Sequence, residues 1–398
     1  MRRRSARRAE GPRAAPEAEL ALLLVGTNVR REANAGRIAD LAATVDQKAL
    51  ADVLLRHRVL PLAGGRLLRL APDVVTESFR TRVTAALEHA RLRAFGFSTL
   101  TTRVARSLED AGIRAVPLKG PTLAAELHGD EALREYADID VLVPRGDFDR
   151  SIEVVRSLGW SRTDAGDVEP PWLHRTMRHP GAALPEVEIH WRIHWYETEF
   201  ADALLQRARV VDGLRRLDCL DQLAALLLFY ARDGFTGLRF PADVAAWWDR
   251  HGSPAVPSDL RRLMTQHPAL AETWRAALAA AVGIAGLPGD GALRGCLPRA
   301  RRSEFAVRLA NWDLRCDADQ IRANVSLVDG LLAPRGGFSA YVGRQLLPPL
   351  SALGGAYPIH PGSRFRSGAY RALHAGKQLA RYAVARWQLR GGRSWTPV

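Results

Sequence analysis

The sequence predicts an α+β fold in which a small sheet is held between an N-terminal and a C-terminal helical segment. Three observations lead to it. From Leu20 to Gly112 apolar residues recur at three- and four-residue spacings, as in Leu50, Val53 and Leu54 and again in Phe79, Val83, Ala86, Leu87 and Ala90. That is the period of amphipathic helices. From Ile113 to Leu217 short extended runs take over, and from Asp218 the pattern is helical again. These shifts divide the chain into a disordered basic arm over 1–15, a helical segment over 16–112, an α/β domain over 113–217, a helical domain over 218–330 and a basic tail over 331–398.

The α/β portion opens with a β-like run at Ile113–Leu118. Pro117 cannot donate to a ladder, so this strand should end there or lie at an edge. A turn follows at Lys119-Gly120-Pro121, and Pro121 suits the first turn of a helix, where its missing N–H costs nothing. Leu123, Ala124 and Leu127 give that helix its apolar side. The next extended run is Asp138 to Val143. Strand side chains alternate, so Asp138 and Asp140 share one face while Ile139, Val141 and Val143 point into a core.

Asp147 to Leu158 is an amphipathic helix with Phe148, Ile152, Val155 and Leu158 on one side, ended by Gly159 as a C-cap. Trp172–His179 and Glu186–Ile193 are two further strands; in the second, Glu188, His190 and Arg192 face one way and Val187, Ile189 and Trp191 the other. Val210–Leu217 adds one more strand or leads into the next helix. Asp218 to Ala231 is strongly apolar, with Asp218 as its N-cap, and Pro241–Arg250 is another helix, carrying Asp243. Residues 254–330 are helical with Pro and Gly breaks. Tyr370–Leu389 could also be helical, though it shows no clean apolar face.

At 398 residues the chain is long enough for two or three domains. Its net charge of +14 is unevenly placed. The first fifteen residues hold six Arg and one Glu, and residues from Gly330 onward hold nine Arg and one Lys with no acid, leaving the body near neutral. A globally basic nucleic-acid surface is therefore not supported. The tail is a candidate attachment site for an acidic partner, anionic lipid or nucleic acid, or else a solvated tail in an Arg-biased sequence. Three cysteines, Cys219, Cys296 and Cys316, fit neither a disulfide framework nor a zinc site, and point to a reducing, cytoplasmic setting. Glu17 and Glu19 interrupt what would be the apolar part of a secretory signal, and no run has the length and apolarity of a transmembrane helix.

Two carboxylates side by side at the start of a strand repel unless a cation lies between them. Hard oxygen donors at this spacing suit Mg²⁺, which binds through one or two carboxylates plus substrate phosphates. Asp138 and Asp140 are thus candidates for a phosphoryl- or nucleotidyl-transfer site, with an ordinary acidic strand end as the alternative. Lys119 stands out because the chain uses Lys only at 48, 119 and 377 and Arg everywhere else. A compact ammonium before a helix suits phosphate, although an exposed basic turn would read the same way. Gly120 would let backbone amides approach phosphates at the helix N-terminus. His190 shares the Glu188 face, where it could orient substrate or contact metal. His194, four residues on, lacks the further Cys or His that zinc would need. No Gly-x-Gly-x-x-Gly, Walker-type loop or Gly-x-Ser-x-Gly elbow is present.

The order of strand, Lys-Gly turn, helix, Arg134 and then Asp138-Ile139-Asp140 resembles the nucleotidyltransferase superfamily. In particular it resembles the bacterial uncharacterised nucleotidyltransferase family with a Lys-Gly turn and an Arg-x-x-x-Asp-Ile-Asp motif, over roughly Leu20 to Arg250. The resemblance implies a nucleotidyltransferase-like mixed sheet and Mg²⁺-dependent transfer of a nucleoside monophosphate from an NTP to an unidentified hydroxyl- or phosphate-bearing acceptor. It implies that Asp138, Asp140 and Glu188 are the catalytic, metal-holding acids, with Glu188 the third acid on a neighbouring strand. Lys119, Gly120, Thr122, Arg134 and His190 would bind the nucleotide, Arg134 alternatively forming a plain salt bridge. Asp243 matches the family's aspartate on the following helix, where it would hold helix to sheet. The wider superfamily carries Gly-Ser at the turn where Lys119-Gly120-Pro121-Thr122 stands here. That departure supports the alternative function, a non-catalytic binding or accessory module in a biosynthetic assembly.

Overall fold

A computed structural model describes residues 15–162, 173–181, 184–197, 199–287, 291–298, 300–309, 318–348, 353 and 364–390. The expected arm falls almost wholly outside these residues, as does Trp172. The N-terminal segment is helical as its periodicity requires: α1 (Pro16–Val25), α2 (Asn28–Ala33), α3 (Ala35–Thr44), α4 (Gln47–Arg56), α5 (Gly65–Leu70) and the long α6 (Glu77–Asp110). Side-chain oxygens of Thr27, Asp46 and Thr76 accept the first free amides of α2, α4 and α6, the usual N-cap arrangement.

The sheet has five strands: β1 (Val116–Pro117), β2 (Asp138–Leu142), β3 (Ser161–Arg162), β4 (His174–Arg178) and β5 (Glu186–His190), in the order β1-β2-β5-β4-β3. β2 and β5 run parallel and the other neighbours antiparallel, so the sheet is mixed. β1 is shorter than the run Ile113–Leu118 suggests. It lies at the edge, and Pro117 has no N–H to extend the ladder, while Ile113 and Ala115 are buried among apolar side chains. β5 stops at His190 instead of Ile193, because Glu197 turns the chain there by accepting the amides of Ile193 and His194. Between β1 and β2 lies α7 (Pro121–His128), and after β2 comes α8 (Phe148–Ser157). Gly159 follows α8 with φ of 105°.

After β5 come α9 (Phe200–Arg207) and a separate hairpin of β6 (Arg209–Val211) and β7 (Leu214–Arg216). Its two-residue turn, Asp212-Gly213, has φ of 52° and 75°, the left-handed pair that favours Asp-Gly. The region read as one strand or a lead-in is therefore two strands. The helices α10 (Cys219–Arg232), α11 (Arg239–His251), α12 (Val256–Gln266), α13 (Pro268–Ala285), α14 (Gly291–Arg294), α15 (Arg301–Arg308) and α16 (Ala318–Leu332) complete the body. Asp218 caps α10 by accepting the Asp221 amide. A last helix, Arg364–Arg390, packs on α16, with the Tyr382 hydroxyl bonded to Ser326 and Tyr341. Nor is the tail's charge all solvated: Arg344 forms a buried pair with Asp329 at 2.8 Å.

Two apolar cores fix the sheet between them, and α6 joins both. Phe79 and Val83 of α6 pack with the N-terminal helices and α10–α13, while Ala94, Phe97, Val104 and Leu108 pack under the sheet with α8. One sheet face, with Ile139, Val141, Met177, Val187 and Ile189, is closed by that second core. The other turns Asp138, Asp140, Glu188 and His190 toward α10. Burial of the apolar face sets the register, since a one-residue slip would move every acid into the core.

Candidate functional site

β2 and β5 pair with Asp138 opposite Glu186 and Asp140 opposite Glu188. Carboxylate oxygens of Asp138, Asp140 and Glu188 lie within 4.8 Å of one another. Asp140 is fully buried and both its oxygens are engaged, Oδ2 by Lys119 Nζ at 2.9 Å and Oδ1 by His190 Nε2 at 3.0 Å. His190 Nε2 also lies 3.2 Å from Glu188 Oε2. Lys119 arrives from the turn after β1, where Gly120 has φ of 100° and ψ of −154°. That backbone region is open essentially to Gly alone, so the turn that delivers Lys119 depends on it.

The charges are unevenly compensated. Burial alone would raise Asp140, but Lys119 and His190 hold its carboxyl well below the usual range. Burial likewise works against Glu188, and the His190 hydrogen bond reverses it, keeping Glu188 low. The same two bonds overcome burial at His190 and hold its imidazole above its ordinary value. Asp138 is the acid left over: burial first, then the neighbouring Asp140 charge, push its carboxyl up. A carboxylate held short of positive charge beside two others is a place where a divalent cation gains most. The donor set of three carboxylates on adjacent strands, together with that deficit at Asp138, fits Mg²⁺.

Arg134 and His190 stand differently from the other expected nucleotide-binding residues. Arg134 is buried, and its Nε bonds Asp243 Oδ2 at 2.9 Å. His128 Nε2 takes the other oxygen of Asp243 at 3.0 Å. This ties the end of α7 and the entry to β2 onto α11, the salt bridge and helix-to-sheet tie that were the alternatives for Arg134 and Asp243. His190 is fully buried beneath Asp140 and Glu188. Lys119 and Thr122, by contrast, line a small cleft with Glu126, Arg215, Arg216 and Gln222, between α7 and the β6–β7 hairpin.

Three further residues stand beside these. Phe229 of α10 lies under the Lys119 ammonium, 4.3 Å from ring centroid to Nζ, and Arg232 approaches the same ring at 4.7 Å. His174 of β4 is paired across the sheet with His190. The alternation of β4 was the available signal for His174, and the one-turn spacing from Phe229 to Arg232 for the other two.

His194 stands apart, buried below the site. Burial, then the charges of Arg232, Arg344 and Arg192, pull its imidazole down to about 3. A folded-state value below the unfolded one, near 6.5, gives stability that is complete above pH 6.5 and lost as pH falls toward 3. At pH 4 the loss from such a group is about 3 kcal/mol. Thermal melts should fall between pH 6.5 and 4, and His194→Phe should flatten that slope. An unchanged slope in the variant would show that His194 is not the group titrating.

Comparison with known families gives a match to the model described as uncharacterised nucleotidyltransferase, over residues 43–281. The matched stretch holds the whole five-stranded sheet and every site residue discussed above. No curated protein and no solved structure matches the chain. With more than half of its length covered, and with the acid pair, the Lys-Gly turn and the sheet that carries them inside the matched stretch, the chain belongs to the uncharacterised nucleotidyltransferase family.

Proposed function

We propose that this protein transfers a nucleoside monophosphate from an NTP to a hydroxyl- or phosphate-bearing acceptor, in a Mg²⁺-dependent reaction that releases pyrophosphate. The observation that supports it most is the gathering of Asp138, Asp140 and Glu188 within 4.8 Å beside the Lys119 turn. The acceptor oxygen forms its bond to the α-phosphorus, the bond from that phosphorus to the β-phosphate's bridging oxygen breaks, and pyrophosphate leaves.

Asp138, Asp140 and Glu188 would hold Mg²⁺, which when bound neutralises phosphate charge and polarises the reacting phosphoryl group. Lys119 meets the phosphates as a point charge, and Phe229 holds its ammonium in place. Gly120 and the first amides of α7 offer donors to phosphate oxygens, with the Thr122 hydroxyl beside them. Arg232 adds a second cation at the Phe229 ring. Glu188, kept ionised by His190, takes the proton of the acceptor hydroxyl. Arg134 acts at one remove, holding the entry to β2 through Asp243.

Labelling separates this reading from its neighbours. With Mg²⁺, cell extract as an acceptor pool and NTPs labelled at either the α- or the γ-phosphorus, only α-label should enter product. Transfer of γ-label would make the protein a phosphoryl-transfer enzyme instead. Transfer of neither, with all four NTPs, would favour the accessory-module alternative.

A further inference from the structure

We propose that His174, Glu188 and His190 form a second cation site, for a divalent transition ion of the imidazole-preferring class such as Zn²⁺ or Co²⁺. One nitrogen or oxygen from each of the three residues lies within 4.8 Å of the others. The antiparallel pairing of β4 and β5 sets His174 directly opposite His190, with ring centroids 4.7 Å apart. Glu188 lies on the same face two residues before His190, its Oε1 3.6 Å from His174 Nε2. All three side chains stand on paired strands of one sheet, which is the rigid kind of scaffold a metal site needs.

His174 is the telling member. It is mostly buried, and no hydrogen bond satisfies its Nδ1. The 3.6 Å from Nε2 to Glu188 exceeds hydrogen-bonding distance as well. A buried polar atom without a partner is costly, so a residue kept in that state is better explained by a ligand than by packing.

The donor set decides the class of ion. Mg²⁺ takes oxygen donors and retains water, whereas two imidazoles and a carboxylate suit Zn²⁺, Co²⁺ and related ions. Glu188 belongs to both groups and would be the carboxylate between the two sites. Spacing along the chain does not reveal this set, because the second imidazole lies across the strand pair. The inference does not depend on which group the protein transfers.

The test is Co²⁺ alone, titrated into untagged, chelator-treated full-length protein and followed by visible absorption and equilibrium dialysis. One equivalent should bind with nitrogen-type visible bands and resist displacement by excess Mg²⁺. His174→Asn should weaken binding at least about tenfold, the lower bound seen even for outer-shell partners of metal ligands, and lose those bands. Asp138→Asn, outside this donor set, should bind Co²⁺ like the wild type. The proposal is overturned if the wild type binds no Co²⁺, if Mg²⁺ displaces it, if His174→Asn binds as the wild type does, or if Asp138→Asn loses as much as His174→Asn. A wild-type measurement guards against a variant that fails to fold. Imidazole ¹⁵N resonances should show two rings shifting on addition of Zn²⁺, and no shifted ring would equally overturn the site.

Discussion

Replacing Asp138 by Asn will reduce nucleotidyl transfer at least about a hundredfold, the usual cost of deleting one preorganised charge from an active site, while leaving the fold as stable as before or more so. The two effects diverge because Asp138 has no cation of its own. Burial and the Asp140 charge already push its carboxyl up, so a neutral amide of the same shape removes repulsion from the resting protein. Activity suffers because the same charge is what the metal-bound phosphates require. Asp140→Asn is a less clean probe, since it strips Lys119 and His190 of the carboxylate both are paired with. Kinetics and thermal melts on purified Asp138→Asn decide the matter. Turnover near that of the wild type would remove Asp138 from the catalytic set, and a large loss of stability would mean that it has a structural partner.

Asp243→Ala should be the most damaging single change to stability away from the apolar core. It leaves the guanidinium of Arg134 buried and unpaired beside His128, and breaking a buried pair from one side costs about 3–5 kcal/mol. Replacing both partners, as Arg134→Met with Asp243→Leu, should restore most of that stability, since apolar residues of similar volume often substitute for a buried ion pair at no net cost. The double variant also separates two roles for Arg134. If Arg134 only positions the entry to β2, activity returns with stability in chemical denaturation and steady-state assays. If stability returns and activity does not, Arg134 touches the nucleotide.

How far the sequence could be read follows from the range of each signal. Asp138 and Asp140 were legible because a strand's two-residue period puts them on one face, and Lys119 because the chain almost never uses Lys. Both are local signals. Asp212-Gly213 was legible too, and a stricter reading of that dipeptide would have given the β6–β7 hairpin. The first strand was overextended because apolar Ile113 and Ala115 mark burial equally well outside a ladder. The pairing of His174 with His190 and that of Arg134 with Asp243 were beyond reach in a different way. The first depends on the register of two strands, and the second on the segment entering β2 meeting a helix 109 positions further on. No spacing along the chain encodes either contact. The resemblance supplied Glu188 but placed Arg134 by motif alone, and only the packing of α11 gave it a buried partner.

The acids of β2 and β5 should hold the metal at which the triphosphate is bound. Crystals grown with Mn²⁺ and an NTP analogue blocked between its α- and β-phosphates test it most directly, since Mn²⁺ scatters anomalously and takes the oxygen donors that Mg²⁺ takes. An anomalous peak coordinated by Asp138 and Asp140 is expected, with the triphosphate against Lys119 and the amides that begin α7. A triphosphate seated elsewhere, with no peak at Asp138 and Asp140, would contradict it.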